Sequence, residues 1–183
     1  MTEKINHGDS PAPVTPRVRR DWLPWSEEKE MRLRDKIIAE ARSWIKTPYV
    51  QQADVKGGGV DCSMLLVRCW VDSGIVYPFE PRPYPANWHM HHSTERYLDW
   101  MENVGIEVEH PQPGDVAIFR FGRCFSHGGI IVENNQLISA SSTHRRVVRS
   151  NLNEPWLFVD AAQNKPRLRK FYDVFARLRQ SVT

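Results

Sequence analysis

The sequence predicts an α+β domain in which N-terminal helices pack on an antiparallel β-sheet. Helical stretches come first, over residues 26–45, from Asp61 to about Gly74, and over residues 94–103. Short apolar runs separated by turn residues follow from Val116 onward. Helices grouped before strands argue against the alternating order of a parallel α/β sheet.

Residues 1–25 read as an irregular arm: Pro11, Pro13 and Pro16 interrupt a polar stretch, and Arg17, Arg19 and Arg20 follow. The domain is expected over residues 26–178, leaving 179–183 as a tail. Ser26 is the expected N-cap of the first helix, with Glu27 and Glu28 behind it. Met31, Leu33, Ile37, Ile38, Ala41, Trp44 and Ile45 recur near helical spacing, and Thr47-Pro48 closes the segment. Gly57-Gly58-Gly59 ends a loop, and a second, largely buried helix starts at Asp61-Cys62. Residues 78–94 form a long connection rich in proline, histidine and aromatics, of the kind that in compact domains is functional or held by its own packing. Tyr97, Leu98 and Met101 are the apolar set of the third helix. Pro113-Gly114-Asp115 then turns the chain into a strand at Val116–Phe119. Further strands are expected at Gly128–Val132, at Gln136–Ala140 after an Asn134-Asn135 turn, and near Val147-Val148. The segment Phe171–Phe175 adds a last strand or helix.

Composition excludes several classes. With 183 residues, 40% of them hydrophobic, the chain suits one domain that needs no staples. Three cysteines, Cys62, Cys69 and Cys124, make no paired framework, so reduced thiols are expected. A net charge of +3, concentrated near the ends and without a recognition motif, does not indicate a nucleic-acid partner. No apolar run approaches the ~20 residues that span a bilayer. No apolar signal segment follows Met1.

Cys62 stands at a loop-to-helix junction, where unsatisfied N–H groups and the dipole favour a thiolate. A free cysteine is also often a small buried apolar group, and both readings stay open for Cys62 by itself. Cys69, further along the same helix, reads as core, and Cys124 as packing. His127 opens the run Gly128-Gly129-Ile130-Ile131-Val132, where small residues let a neighbouring backbone approach. A thiol hydrolase needs a cysteine, an imidazole and a third polar group that orients the ring. Cysteine on a helix, histidine on a strand and an orienter on the next strand would meet that need. His89, His91 and His92 lack cysteine or acidic partners at ligand spacing, so no metal is expected, and no cofactor either.

Three segments carry a resemblance. Thr47-Pro48-Tyr49 with Gly57-Gly58-Gly59-Val60-Asp61-Cys62-Ser63 resembles the nucleophile motif of NlpC-type cell-wall peptidases. Pro113–Phe119 resembles the first sheet strand of that family, and Ser126-His127-Gly128-Gly129-Ile130 its histidine motif. The match covers about residues 30–150, with the motifs in the family's order. It implies a papain-like fold and hydrolysis of peptide-stem bonds in peptidoglycan by a cysteine endopeptidase, with Cys62 as nucleophile and His127 as base. Tyr49 resembles the tyrosine beside the catalytic cysteine, and is otherwise a loop anchor. Tyr49, Asp61, Ser63 and Gly128 are the positions expected to meet substrate, Asp61 chiefly by accepting backbone hydrogen bonds.

One departure concerns the third residue. The family commonly has a histidine there, in a His-Ala pair; this chain has Ser139-Ala140. Ser139 is taken as the orienter, with His144 as the alternative, and either choice leaves a weak or inactive binding module as the competing reading. The insert Pro81–His89, Glu95-Arg96-Tyr97 and Phe121–His127 resemble the phage and prophage tail-associated branch of the family. That implies a tail-tip component, made in the host cytoplasm, acting at the cell wall and neighbouring other tail-tip proteins.

Overall fold

The computed structural model describes residues 15–84, 95–133 and 135–180. The histidines at 89, 91 and 92, residues 1–14 of the arm, and Asn134 of the expected turn lie outside the described residues.

Helix α1 (Glu27–Ser43) begins where the sequence placed it: the Ser26 hydroxyl accepts the Lys29 N–H at 3.3 Å, and Glu27, Glu28 and Glu30 fill the first turn. It buries Leu33, Ile37 and Ala41. After the short hairpin β1 (Asp54–Val55) and β2 (Gly59–Val60) comes α2 (Cys62–Asp72), the central helix. Its buried residues Ser63, Met64, Leu65, Leu66, Val67, Cys69 and Trp70 point all round, as in a helix enclosed by the core. Gly74, at φ +77°, ends it in the left-handed conformation that glycine adopts without strain. Helix α3 (Arg96–Val104) buries Tyr97, Met101 and Val104.

The strands are β3 (Ile106–Val108), β4 (Val116–Phe121), β5 (Cys124–Glu133), β6 (Gln136–Ser141), β7 (Arg146–Asn151) and, near the C-terminus, β10 (Arg169–Asp173). They form one antiparallel sheet in the order β3-β10-β4-β5-β6-β7. Between β7 and β10 lie α4 (Pro155–Phe158) and the hairpin of β8 (Val159–Asp160) and β9 (Lys165–Pro166). A last helix, α5 (Ala176–Gln180), follows β10, so the basic C-terminal segment supplies both a strand and a helix.

The two faces of the sheet have different partners. Val116, Ile118, Ile130, Ile138, Ala140 and Val147 join α1, α2 and α3 in the main core. Ala117, Phe119, Ile131 and Leu137 face the other way, with Leu152, Leu157, Trp156 and Phe171. Coverage on both sides explains why β5 is buried without alternation from Cys124 to Val132.

Arg34 ties the layers together. Its guanidinium donates to Glu30 at 3.0 Å, to the Pro113 carbonyl and Asp115 at 2.8 Å, and to Asp173 at 3.2 Å, and it lies over the Phe175 ring. One side chain thus fixes α1 against the start of β4 and the end of β10.

Candidate active site

Asp61 caps α2 and holds the surrounding loops. One of its oxygens accepts the Met64 N–H at 2.9 Å and the other the Gln52 N–H at 2.7 Å. The Tyr84 hydroxyl donates to both, at 2.9 and 2.8 Å. Burial still raises the Asp61 carboxyl above its usual range, against these hydrogen bonds.

Cys62, partly exposed, follows directly at the head of α2. Its sulfur lies 3.5 Å from the main-chain oxygen of Ser126 on β5. Ser63 donates to the Tyr97 hydroxyl at 3.2 Å, and both hydroxyls favour a thiolate at Cys62. Tyr49 reaches the same place from the loop after α1, donating to Gln51 at 3.3 Å; burial first, then a thiolate at Cys62, would hold its proton on.

The electrostatics correct the sequence expectation for the thiol. Burial, and next the Asp61 carboxylate, push Cys62 up to about 12, while Tyr97, Ser63 and the helix-head N–H pull the other way. Desolvation and an adjacent negative charge outweigh the helix dipole. Cys62 in this geometry is a neutral thiol.

His127 is placed differently from the expectation. Pairing across β4 and β5 runs Val116↔Ile130, Ala117↔Gly129, Ile118↔Gly128 and Phe119↔His127, then shifts to Arg120↔Phe125. Ser126 is therefore the extra residue of a β-bulge. A Cβ on Gly128 would lie 2.9 Å from Leu66 and 3.2 Å from Tyr97, so position 128 faces the helices. A Cβ on Gly129 would lie 2.9 Å from the Ser139 Cβ, on the opposite face, and His127 shares that face because side chains alternate. Its ring lies 5.1 Å from Phe121, 5.7 Å from Trp156 and 6.3 Å from Phe119, centroid to centroid. Burial, then the Arg167 guanidinium, push it down to about 3.

The expected dyad is therefore not assembled in this register. The physical reason is strand alternation: His127 continues the face of Gly129 and Ile131, which packs against the outer layer, while the bulge at Ser126 turns only the residues before it, so that Phe125 joins the helix-side core. The orienter is also absent. Ser139 is buried on the far face, and among the described residues neither its hydroxyl nor the His127 Nε2 has a hydrogen-bond partner. His144 pairs instead with Ser141, Nδ1 to Oγ at 3.0 Å, and its ring packs on Trp156 at 5.2 Å. Trp156 thus stands between His127 and His144.

The structure gathers Tyr49, Asp61, Cys62, Ser63 and Gly128 on the helix side, and His127, Ser139 and His144 behind the sheet. Cys69 and Cys124 are buried free thiols in the core. Among the described residues, no group of three His, Cys, Asp or Glu is placed to hold a metal ion, and no helix is long and apolar enough to cross a membrane.

Sequence reasoning missed Tyr84, Tyr97 and Trp156 as neighbours of these groups. Helical spacing marked Tyr97 only as apolar, and nothing local announces which residue its hydroxyl meets.

The fold and site define a papain-like α+β domain with a cysteine at the head of its central helix. The chain belongs to the NlpC/P60 family, whose pattern it matches over residues 46–160. Among solved structures it is similar to the P60 domain of a Mycobacterium avium subspecies paratuberculosis antigen, at 16% identity over 80% of this chain and 97% of that one, TM-score 0.55. It is similar to the peptidoglycan hydrolase RipB of Mycobacterium tuberculosis, at 17% identity over 82% and 68% of the two chains, TM-score 0.54. It also resembles NlpC2 of Trichomonas vaginalis, at 19% identity and TM-score 0.52; 67% of this chain is covered but only 43% of that one. At these identities the likeness is one of fold. A comparison with curated proteins finds no match.

Proposed function

We propose that this protein is a cysteine endopeptidase that hydrolyses stem-peptide bonds of bacterial peptidoglycan, within a phage tail tip. The observation that carries the reading is Cys62, a partly exposed residue at the head of α2, in a chain of the NlpC/P60 family. The fold shared with a mycobacterial peptidoglycan hydrolase supports the substrate class.

In this reading the Cys62 sulfur attacks the carbonyl carbon, and the Cys62 N–H at the helix head receives the developing oxyanion. An imidazole takes the thiol proton and returns it to the departing amine, and water then cleaves the thioester. His127 is the imidazole of the sequence motif, and the reaction needs it on the helix side of the sheet. Tyr49, Ser63 and Gly128 line the approach to the sulfur.

The tail-tip role rests on the resemblance carried by residues 81–89, 95–97 and 121–127. Mass spectrometry of purified particles and of tail-assembly intermediates tests it; absence of the chain from both rejects it.

One observation favours a second reading. His127 and Ser139 lie behind the sheet from Cys62, which suits a module that binds peptidoglycan without cleaving it. Incubation with purified peptidoglycan separates the two. Hydrolysis releases soluble peptides with new amino termini at one bond; a binding module cosediments with the polymer and releases none.

A further inference from the structure

The geometry points to Gly128 as the positioning residue that lets the β5 bulge migrate and carry His127 from the far face of the sheet to Cys62. This inference rests on the peptidase reading above and supplies the step that it needs.

The register itself shows the route. With Ser126 as the extra residue, Phe119 pairs with His127 and Ile118 with Gly128. If Gly128 becomes the extra residue instead, Phe119 pairs with Ser126 and Ile118 with His127. Ala117↔Gly129 and Val116↔Ile130 keep their partners. Only residues 126 and 127 then exchange faces, and every side chain from Ile130 onward stays in its core. His127 moves to the face that carries Ile118, Leu66 and Tyr97.

Three features favour this exchange over an ordinary fixed bulge. Glycine is the residue type that hosts a bulge with least strain, because it reaches left-handed backbone angles without a Cβ clash. The position that His127 would enter is next to Leu66, one helical turn of about 5.4 Å below Cys62, with the Cys62 sulfur already against the Ser126 carbonyl. The far-face position leaves the buried His127 Nε2 and the Ser139 hydroxyl without hydrogen-bond partners among the described residues, so His127 forfeits no hydrogen bond on departure. Room must come from the end of the Leu66 side chain, 2.9 Å from a Cβ at position 128, and from the Tyr97 ring at 3.2 Å.

The test is cross-linking. In His127→Cys, treated with a mild oxidant, a disulfide joins Cys62 to the introduced thiol when residue 127 visits the helix face. It cannot form across the sheet, because two bridged Cβ atoms lie within about 4.5 Å. Peptide mapping of the folded protein is expected to find this bridge in most molecules; its absence overturns the inference. The wild-type protein gives a second readout if that variant fails to fold. An exchanging imidazole adds an inflection between about pH 5 and 8 to the rate of Cys62 alkylation. A single rise toward high pH, with no such inflection, rejects the exchange. Failure of the peptidase reading is distinguishable: the bridge then still forms, but peptidoglycan is not cleaved.

Discussion

The Cys62 sulfur and the Ser126 main-chain oxygen lie 3.5 Å apart, while the imidazole of the next residue, His127, packs on Phe121 and Trp156 behind the sheet. The thiol and the imidazole of the family motif are thus close along the backbone and separated by the sheet that carries one of them. Both placements have measurable consequences.

His127 makes the fold acid-sensitive. Its proton affinity is lowered to about 3 in the folded state from an ordinary 6.5. Between those values the unfolded chain binds a proton that the folded chain refuses. Stability is therefore fully present above about pH 6.5 and falls as the pH drops toward 3, by up to about 1.4 kcal/mol per pH unit. His127→Phe fits the same aromatic cluster and removes this slope. Urea unfolding of both proteins at several pH values checks it, and parallel curves contradict it.

Arg34→Met should destabilise the protein by roughly 3–5 kcal/mol near neutral pH, because it leaves the buried Asp115 carboxylate without its cation, while Asp173 keeps Arg179. Burial, the largest influence, already raises Asp115 to about 6. Arg34 holds that carboxyl down against burial, so in the variant Asp115 takes up its proton at a still higher pH, and the deficit shrinks as the pH falls toward about 6. Chemical denaturation at pH 7 and pH 5 reads both effects.

Tyr97→Phe removes a hydroxyl that lowers the Cys62 proton affinity and pairs with Ser63. Alkylation of Cys62 at fixed pH should slow by roughly fivefold, the worth of one hydrogen bond of about 1 kcal/mol. Stability should change by only about 1 kcal/mol. An unchanged alkylation rate would show that the phenol does not act on the sulfur.

Much of this molecule is legible in its sequence because the signals are local. Ser26 caps α1, the glycine loop delivers Cys62 to a helix head, and Pro113-Gly114-Asp115 introduces β4. The NlpC-type fold follows from motifs in the right order, and the match over residues 46–160 establishes the family. The face taken by His127 is not legible. His127 follows the alternation of Gly129 and Ile131, and in a strand buried on both faces nothing in the composition marks which face meets the helices. Tyr97 was hidden for a related reason: helical periodicity marks its ring as buried but does not say which sulfur its hydroxyl meets. The strands β3, β8 and β9 are only two or three residues long, too short to show a period.

The most direct test of the peptidase assignment compares wild-type protein with Cys62→Ala, both verified as folded by circular dichroism, in the release of stem peptides from purified peptidoglycan. The wild type is predicted to generate new amino termini, and the variant none above the enzyme-free blank. Equal release by the two proteins would contradict the assignment of Cys62 as nucleophile.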